Sequence, residues 1–387
     1  MTTLALPTRD GTLAPFTLAA PASWPTARPC EPLARAALSA GHVVADPMAD
    51  RAPMRDVAID FAATQRFRDH LWNLGLGVAE AMDTAQRGMG LDWSAAQELI
   101  RNTVAAAKAR PGAVVFSGIG TEQLDPADAT LDAVVRAYHE QLGFVQGLGG
   151  RAIMMASRAL ARAARGPEDY ATVYRRVLAE ADRPVILHWL GEMFDPALAG
   201  YWDRRGVDAA MDACLAMIAD NAAKIDGIKI SLLDKDLEIA MRRRLPAGVA
   251  MYTGDDFNYP ELIAGDAEGF SHALLGIFDP IAPIASAALK ALTDHGPERF
   301  REILDPTVAL SRELFRAPTQ FYKTGVVFLA YLAGHQSHFT MLGGQQAGRS
   351  ILHLAEVFRL AGGLGLFPDP DLATARMRHV LALHGIT

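Results

Sequence analysis

The stretch Ile225-Asp-Gly-Ile-Lys-Ile-Ser231 reads as a buried β-strand with one lysine set into it. Lys229 stands between Ile228 and Ile230, with Gly227 before it and the polar run Asp234-Lys235-Asp236 shortly after. A short apolar run bounded by turn signals is the mark of a strand covered on both faces. An ammonium in that setting is costly, and the usual escape is a lowered pKa that leaves a neutral, nucleophilic amine. Such an amine condenses with carbonyls. The plain alternative is a structural lysine that reaches solvent or pairs with Asp255.

The rest of the chain supplies the company in which this lysine is read. Short β-branched runs recur at His42–Ala45, Leu74–Val78, Ala113–Ser117, Ala152–Met155, Pro184–His188, Gly227–Ile230, Val249–Tyr252 and Phe270–Leu275. Stretches with helical spacing at 92–109, 126–143, 168–182 and 207–223 separate many of them. Regular alternation of strand and helix implies a parallel sheet covered by helices, and eight units imply closure into a (β/α)8 TIM barrel. Residues 1–36, with a turn at Asp10-Gly11, read as an irregular or hairpin extension. Residues 37–280 read as the barrel and 281–387 as helices packed on it.

Composition sets the outer bounds. Half of the 387 residues are hydrophobic, enough for a large core. A formal net charge of −7 gives no electrostatic reason to expect nucleic acid or an anionic membrane as partner. Two cysteines, Cys30 and Cys214, are too few for a disulfide framework and fit a reducing cytoplasmic setting. Arg9 and Asp10 stand where a signal peptide needs an apolar core. The run Gly325–Gly334 is about half of the ~20 residues that a membrane span requires and reads as a buried helix.

A doubly wound nucleotide-binding fold is the main competitor. Gly75-Leu-Gly-Val-Ala-Glu80 offers GxG, but Glu80 replaces the third glycine and would repel a pyrophosphate. Chemistry in a barrel sits at the C-terminal strand ends. There the sequence sets Glu80, Ser117, Ser157 with Arg158, His188, Lys229, and Gly254-Asp255-Asp256. A lysine, a histidine and several acids at successive strand ends make an acid–base site.

The order Pro184-Val-Ile-Leu187, Gly227-Ile-Lys-Ile230 and Thr253-Gly-Asp-Asp256 resembles the dihydrodipicolinate synthase and N-acetylneuraminate lyase superfamily. In that superfamily a GIK-like run carries the Schiff-base lysine and an SGDD-like run ends the next strand. Leu314-Phe-Arg-Ala-Pro-Thr-Gln320 is similar to its LF…NP segment, so the resemblance spans roughly residues 40 to 362. Within it the chain resembles a divergent bacterial subgroup described as a domain of unknown function. Two departures stand out. The strand-two GTTGE, whose threonines hold an α-keto carboxylate, is matched to Gly75–Glu80, and the strand-five tyrosine becomes His188.

The resemblance implies a class I aldolase-like lyase that needs no cofactor, with Lys229 forming an iminium on a small carbonyl compound such as a keto sugar. His188 would move protons, since imidazole titrates near neutrality. Glu80, Ser117, Gly254, Asp255 and Asp256 would bind substrate. One aspartate of the pair would also hold the lysine, and the other would cap the following helix. His335 and His338 have a spacing that metal sites use, but no carboxylate accompanies them, and no metal is expected. Two other classes stay open. One is a metal-dependent isomerase or lyase using His188, Glu80 and the aspartates, and the other is an inactive barrel kept as a binding subunit. Val326-Val-Phe-Leu-Ala330 exceeds what one barrel wall needs and predicts a homo-oligomer, most simply a dimer.

Overall fold

A computed structural model describes residues 3–386; the outermost residues of the expected extension and helical region, 1, 2 and 387, lie outside it. Strands β1 (Thr3–Pro7) and β2 (Leu13–Thr17) form an antiparallel hairpin across the Asp10-Gly11 turn. The barrel follows: β3 (Ala37–Ala40), β4 (Gly77–Glu80), β5 (Val115–Ile119), β6 (Arg151–Met154), β7 (Val185–Leu190), β8 (Ile225–Ser231), β9 (Ala250–Thr253) and β10 (His272–Leu275). All pairings in it are parallel, and β10 closes on β3. The TIM barrel expected from the alternation is therefore the fold.

Helices α1 (Phe61–Asn73), α2 (Trp93–Lys108), α3 (Leu131–Gly147), α4 (Arg158–Ala163), α5 (Pro167–Ala179), α6 (Val207–Asp220), α7 (Lys235–Arg242) and α8 (Tyr259–Ala264) connect the strands. Many start on a capping side chain: Asp60, Asp92, Thr130, Ser157 and Asp234 each accept a first-turn N–H. Beyond the barrel lie α9 (Ala282–His295), α10 (Pro297–Leu304), α11 (Val308–Leu314), α12 (Tyr322–Leu332), α13 (Ile351–Gly363) and α14 (Pro370–Leu383). No helix among the described residues is long and apolar enough to cross a membrane.

Two expected strands move, and both shifts bear on the site. The first barrel strand is Ala37–Ala40, with weaker β-formers than His42–Ala45 but closed on both sides by β10 and β4. Position in the sheet overrides intrinsic preference there. His42 instead receives Asp279 Oδ2, which accepts from its backbone N–H at 2.7 Å and contacts Nδ1 at 2.8 Å. The second strand runs over 77–80 rather than 74–78. Leu74 caps α1, and Gly75, at φ 73°, makes the left-handed turn that ends the helix.

The reason given for self-association does not hold. Val326 to Ala330 are all buried within the chain, where α12 packs on α11, α13 and α14. Phe328 is wholly enclosed, and its truncation to alanine would cost ~3–5 kcal/mol as core, not as interface.

Candidate active site

Strand alternation decides which side chains enter the barrel. Ala79, Phe116, Ile153, Ile186 and Tyr252 pack together inside it, whereas Ile228 and Ile230 join the outer core under the helices. Lys229 is in register with His188 on one side and Tyr252 on the other, so it shares the interior face. It is 6 % exposed, and its ammonium makes no hydrogen bond or ion pair among the described residues. Burial lowers its pKa, while Asp83 and Asp256 act through space to raise it.

His188 is buried beside it. Its Nε2 lies 3.1 Å from Ser231 Oγ, and its Nδ1, without a hydrogen-bond partner, lies 3.8 Å from Asp83 Oδ2. Burial first, and the charge of Lys229 second, hold its pKa well below the ordinary imidazole value. The shift favours the neutral imidazole, which can accept a proton, and the Asp83 carboxylate stands near enough to steady an imidazolium.

Asp255 and Asp256 differ in their contacts, but neither caps α8 as the sequence predicts, because that helix starts at Asn258 without a side-chain bond. Asp255 accepts the Phe257 and Asn258 backbone N–H groups at 2.8 and 3.0 Å and the Asn258 amide at 2.8 Å, an Asx turn that closes the bend ahead of α8. Asp256 acts on Lys229 through space; its Oδ1 accepts the Ile277 N–H at 2.9 Å, and burial raises its pKa to about 7 against the pull of the lysine. Gly254 borders the lysine stem without contributing a side chain.

Glu80 and Ser117 do not join them. They are paired across β4 and β5 at positions that alternate with the interior Ala79 and Phe116, so both point toward the helices. Glu80 is fully enclosed and accepts Arg68 Nε and Nη2 at 2.9 and 2.8 Å, Thr103 Oγ1 at 2.7 Å and the Ala81 N–H at 2.7 Å. A carboxylate with four donors is a structural anchor between sheet and helices, not a substrate ligand. Ser117 Oγ is buried without a partner in the same layer.

The acid at the end of strand two is Asp83, which sequence reading missed. The three-residue shift of β4 carries the chain through Ala81 and Met82 before the short 3-10 turn Asp83–Ala85 reaches the mouth. Asp83 lines a cavity of about 240 Å³ with His188, Thr121, Ser157, Arg158, Asp195 and Lys323. Next to it, Thr84 Oγ1 lies 2.8 Å from the Tyr322 hydroxyl, which ties the strand-two loop to α12. Among the described residues no group of three or more His, Cys, Asp and Glu side chains is placed to hold a metal ion. His335 packs on His70 at 4.6 Å between ring centroids, and His338 Nδ1 accepts the Thr340 N–H.

Comparison with solved structures returns the same barrel. YagE, a prophage protein of the dihydrodipicolinic acid synthase family from E. coli K12 in complex with pyruvate, superposes with a TM-score of 0.63 at 13 % identity, covering 92 % of this chain and 100 % of that one. Dihydrodipicolinate synthase from Aquifex aeolicus gives 0.60 at 14 % identity, covering 91 % and 98 %. The chloride-inhibited enzyme from Acinetobacter baumannii complexed with pyruvate gives 0.60 at 16 %, covering 91 % and 99 %. At such identities the likeness is one of fold, and it covers almost the whole chain. No curated protein sequence matches. The family described as Protein of unknown function (DUF993) matches residues 4–386, and the chain belongs to it.

Proposed function

We propose that the protein is a class I aldolase-like lyase that binds a small carbonyl compound, a keto sugar or a relative of one, as an iminium on Lys229. The observation that carries the reading is the lysine itself: buried inside the strand ends, without a hydrogen-bond partner among the described residues, and lowered in pKa by burial. The amine adds to the carbonyl and water leaves, giving the iminium. The C–C bond one carbon away then breaks, its electron pair moving onto the iminium nitrogen as an enamine. His188 takes the proton of the hydroxyl on the far carbon, which leaves as an aldehyde or ketone, and returns that proton to the enamine carbon; water then hydrolyses the iminium and frees the lysine. A dehydratase would break a C–O bond from the same intermediate. These steps call for no cofactor.

Borohydride reduction with a panel of keto acids and keto sugars tests this, read by intact mass and peptide mapping. A mass increment on the peptide holding Lys229 is expected. A label on Lys224 or Lys323 instead, or none with any carbonyl, would overturn the assignment. In the second case a carbonyl ligand that still raised the melting temperature would favour an inactive, ligand-binding barrel.

A further inference from the structure

Three cations line the cavity, and two of them are committed. Arg87 pairs with Glu122, gives Nη1 to the Ala81 and Gly118 carbonyls at 3.0 and 3.1 Å, and gives Nη2 to Gln141 Oε1 at 2.6 Å. Arg158 donates Nε to Asp195 at 2.6 Å. Lys323 is different. It rises from the first turn of α12, is 4 % exposed, and still borders the cavity. Its Nζ donates to the Gln320 carbonyl at 3.0 Å and to Met89 Sδ at 3.4 Å, stands 4.8 Å from the Tyr322 ring centroid, and forms no ion pair among the described residues.

An ammonium has three donors, and a thioether is a weak acceptor, so among the described residues one carbonyl is the only strong hydrogen-bond partner of Lys323. Enclosing a charge so poorly matched is unfavourable, and a methionine would fill the same space without that cost. The cavity explains the choice if the missing partner is brought by a ligand. Once Arg87–Glu122 and Arg158–Asp195 are set aside as internal pairs, the lining offers one carboxylate and one ammonium. Asp83 lies beside His188 and acts through space on both Lys229 and Lys323; Lys323 borders the cavity from the C-terminal helices, and Lys229 lies outside its lining.

We infer that Lys323 binds an oxyanion, phosphate or carboxylate, carried by the substrate on a carbon away from its carbonyl. The inference deepens the lyase reading by naming its substrate class: a keto sugar phosphate, or a keto acid with carbons between its two functions. An acid group next to the carbonyl would lie against Asp83. A remote one meets the free ammonium and leaves hydroxyls to the strand ends.

Calorimetric titration with glycerol phosphate and 4-hydroxybutyrate tests this, with glycerol as the neutral control. Neither anion has a carbonyl, so binding is read without any Schiff base. At least one anion should bind the wild type about tenfold or more tightly than glycerol, and that advantage should vanish in Lys323→Gln and Lys323→Met and survive in part in Lys323→Arg. Two neutral variants, each checked by thermal unfolding, guard against misfolding, and the tighter anion identifies the group. Wild-type protein that binds both anions no better than glycerol, or a folded neutral variant that keeps the advantage, overturns the inference. If anions bind as stated while no ketone is ever trapped by borohydride, the lyase reading falls alone.

Discussion

Gly254 is pressed against the stem of Lys229: a Cβ at residue 254 would lie 2.6 Å from Lys229 Cε and 2.6 Å from the Ile230 carbonyl oxygen. The lysine stem can swing, but the carbonyl belongs to a barrel strand and already accepts the Gly254 N–H at 2.8 Å. Gly254→Ala should therefore both strain the strand and displace the amine. The expected cost is ~1–3 kcal/mol of stability, with a loss of borohydride labelling larger than that destabilisation explains. Urea denaturation and adduct yield on the same preparation check it. Unchanged labelling would mean that the lysine is not held by this contact.

Lys229→Ala should abolish the reducible adduct while leaving stability little changed or slightly raised. It removes a buried amine whose charge no hydrogen bond compensates, and the methylene packing it gives up works the other way. Intact mass after borohydride and a melting curve are the two readouts. A large fall in melting temperature would show that the lysine serves structure, through its attraction to Asp83 and Asp256.

The barrel and its lysine were legible in the sequence because strands buried on both faces are written as local apolar runs, and Gly227–Ile230 is the clearest of them. The capping role expected of one aspartate was not met, because an aspartate ahead of a helix can also bond the N–H groups of the next turn, as Asp255 does with Phe257 and Asn258. Glu80 was misread because a glycine that ends a helix, Gly75, looks the same in sequence as a glycine in a strand, and three residues of shift turn a side chain from mouth to flank. Asp83 was lost with it. Lys323 did leave a signal, a lone lysine at the head of the apolar run Gly325–Leu332. Only the packing of α12 against the barrel mouth shows that it reaches the same cavity as His188.

Asp256 should make stability fall as pH rises. Its folded pKa is raised from the usual carboxylate range to about 7, so the folded state binds its proton more tightly than the unfolded chain does. Its contribution is fully present below the unfolded value and is lost as pH climbs through about 7, by at most about 3 kcal/mol between pH 5 and 7. Glu238, raised to about 8 by burial, acts in the same direction, and the buried histidines, lowered in pKa, act in the opposite one. Comparison with Asp256→Asn cancels those shared effects. Urea denaturation at pH 5 and 7 should show a smaller drop, or a rise, in the variant. Equal pH dependence in both proteins would show that the carboxyl is charged throughout.

Pyruvate should be a poor substrate in spite of the fold shared with structures that hold it. An α-keto acid sets a carboxylate next to the carbonyl that Lys229 attacks. At the end of strand two this chain offers Ala81, Met82 and then Asp83, whose carboxylate lies 3.8 Å from His188 and acts on Lys229 through space. The hydroxyl of Thr84, the next residue, is paired with that of Tyr322. A second negative charge there would lack donors and face a like charge, and losing one charge-assisted hydrogen bond alone is worth ~1.5–3 kcal/mol, tenfold or more in affinity. The measurement is a competition in which the protein is reduced with borohydride in equal concentrations of pyruvate and dihydroxyacetone, and the two adducts are counted by mass. Dihydroxyacetone should dominate in the wild type, and Asp83→Ala should shift the balance toward pyruvate. A wild type labelled mainly by pyruvate would show that the strand-two loop holds the acid by its backbone N–H groups and that Asp83 does not exclude it.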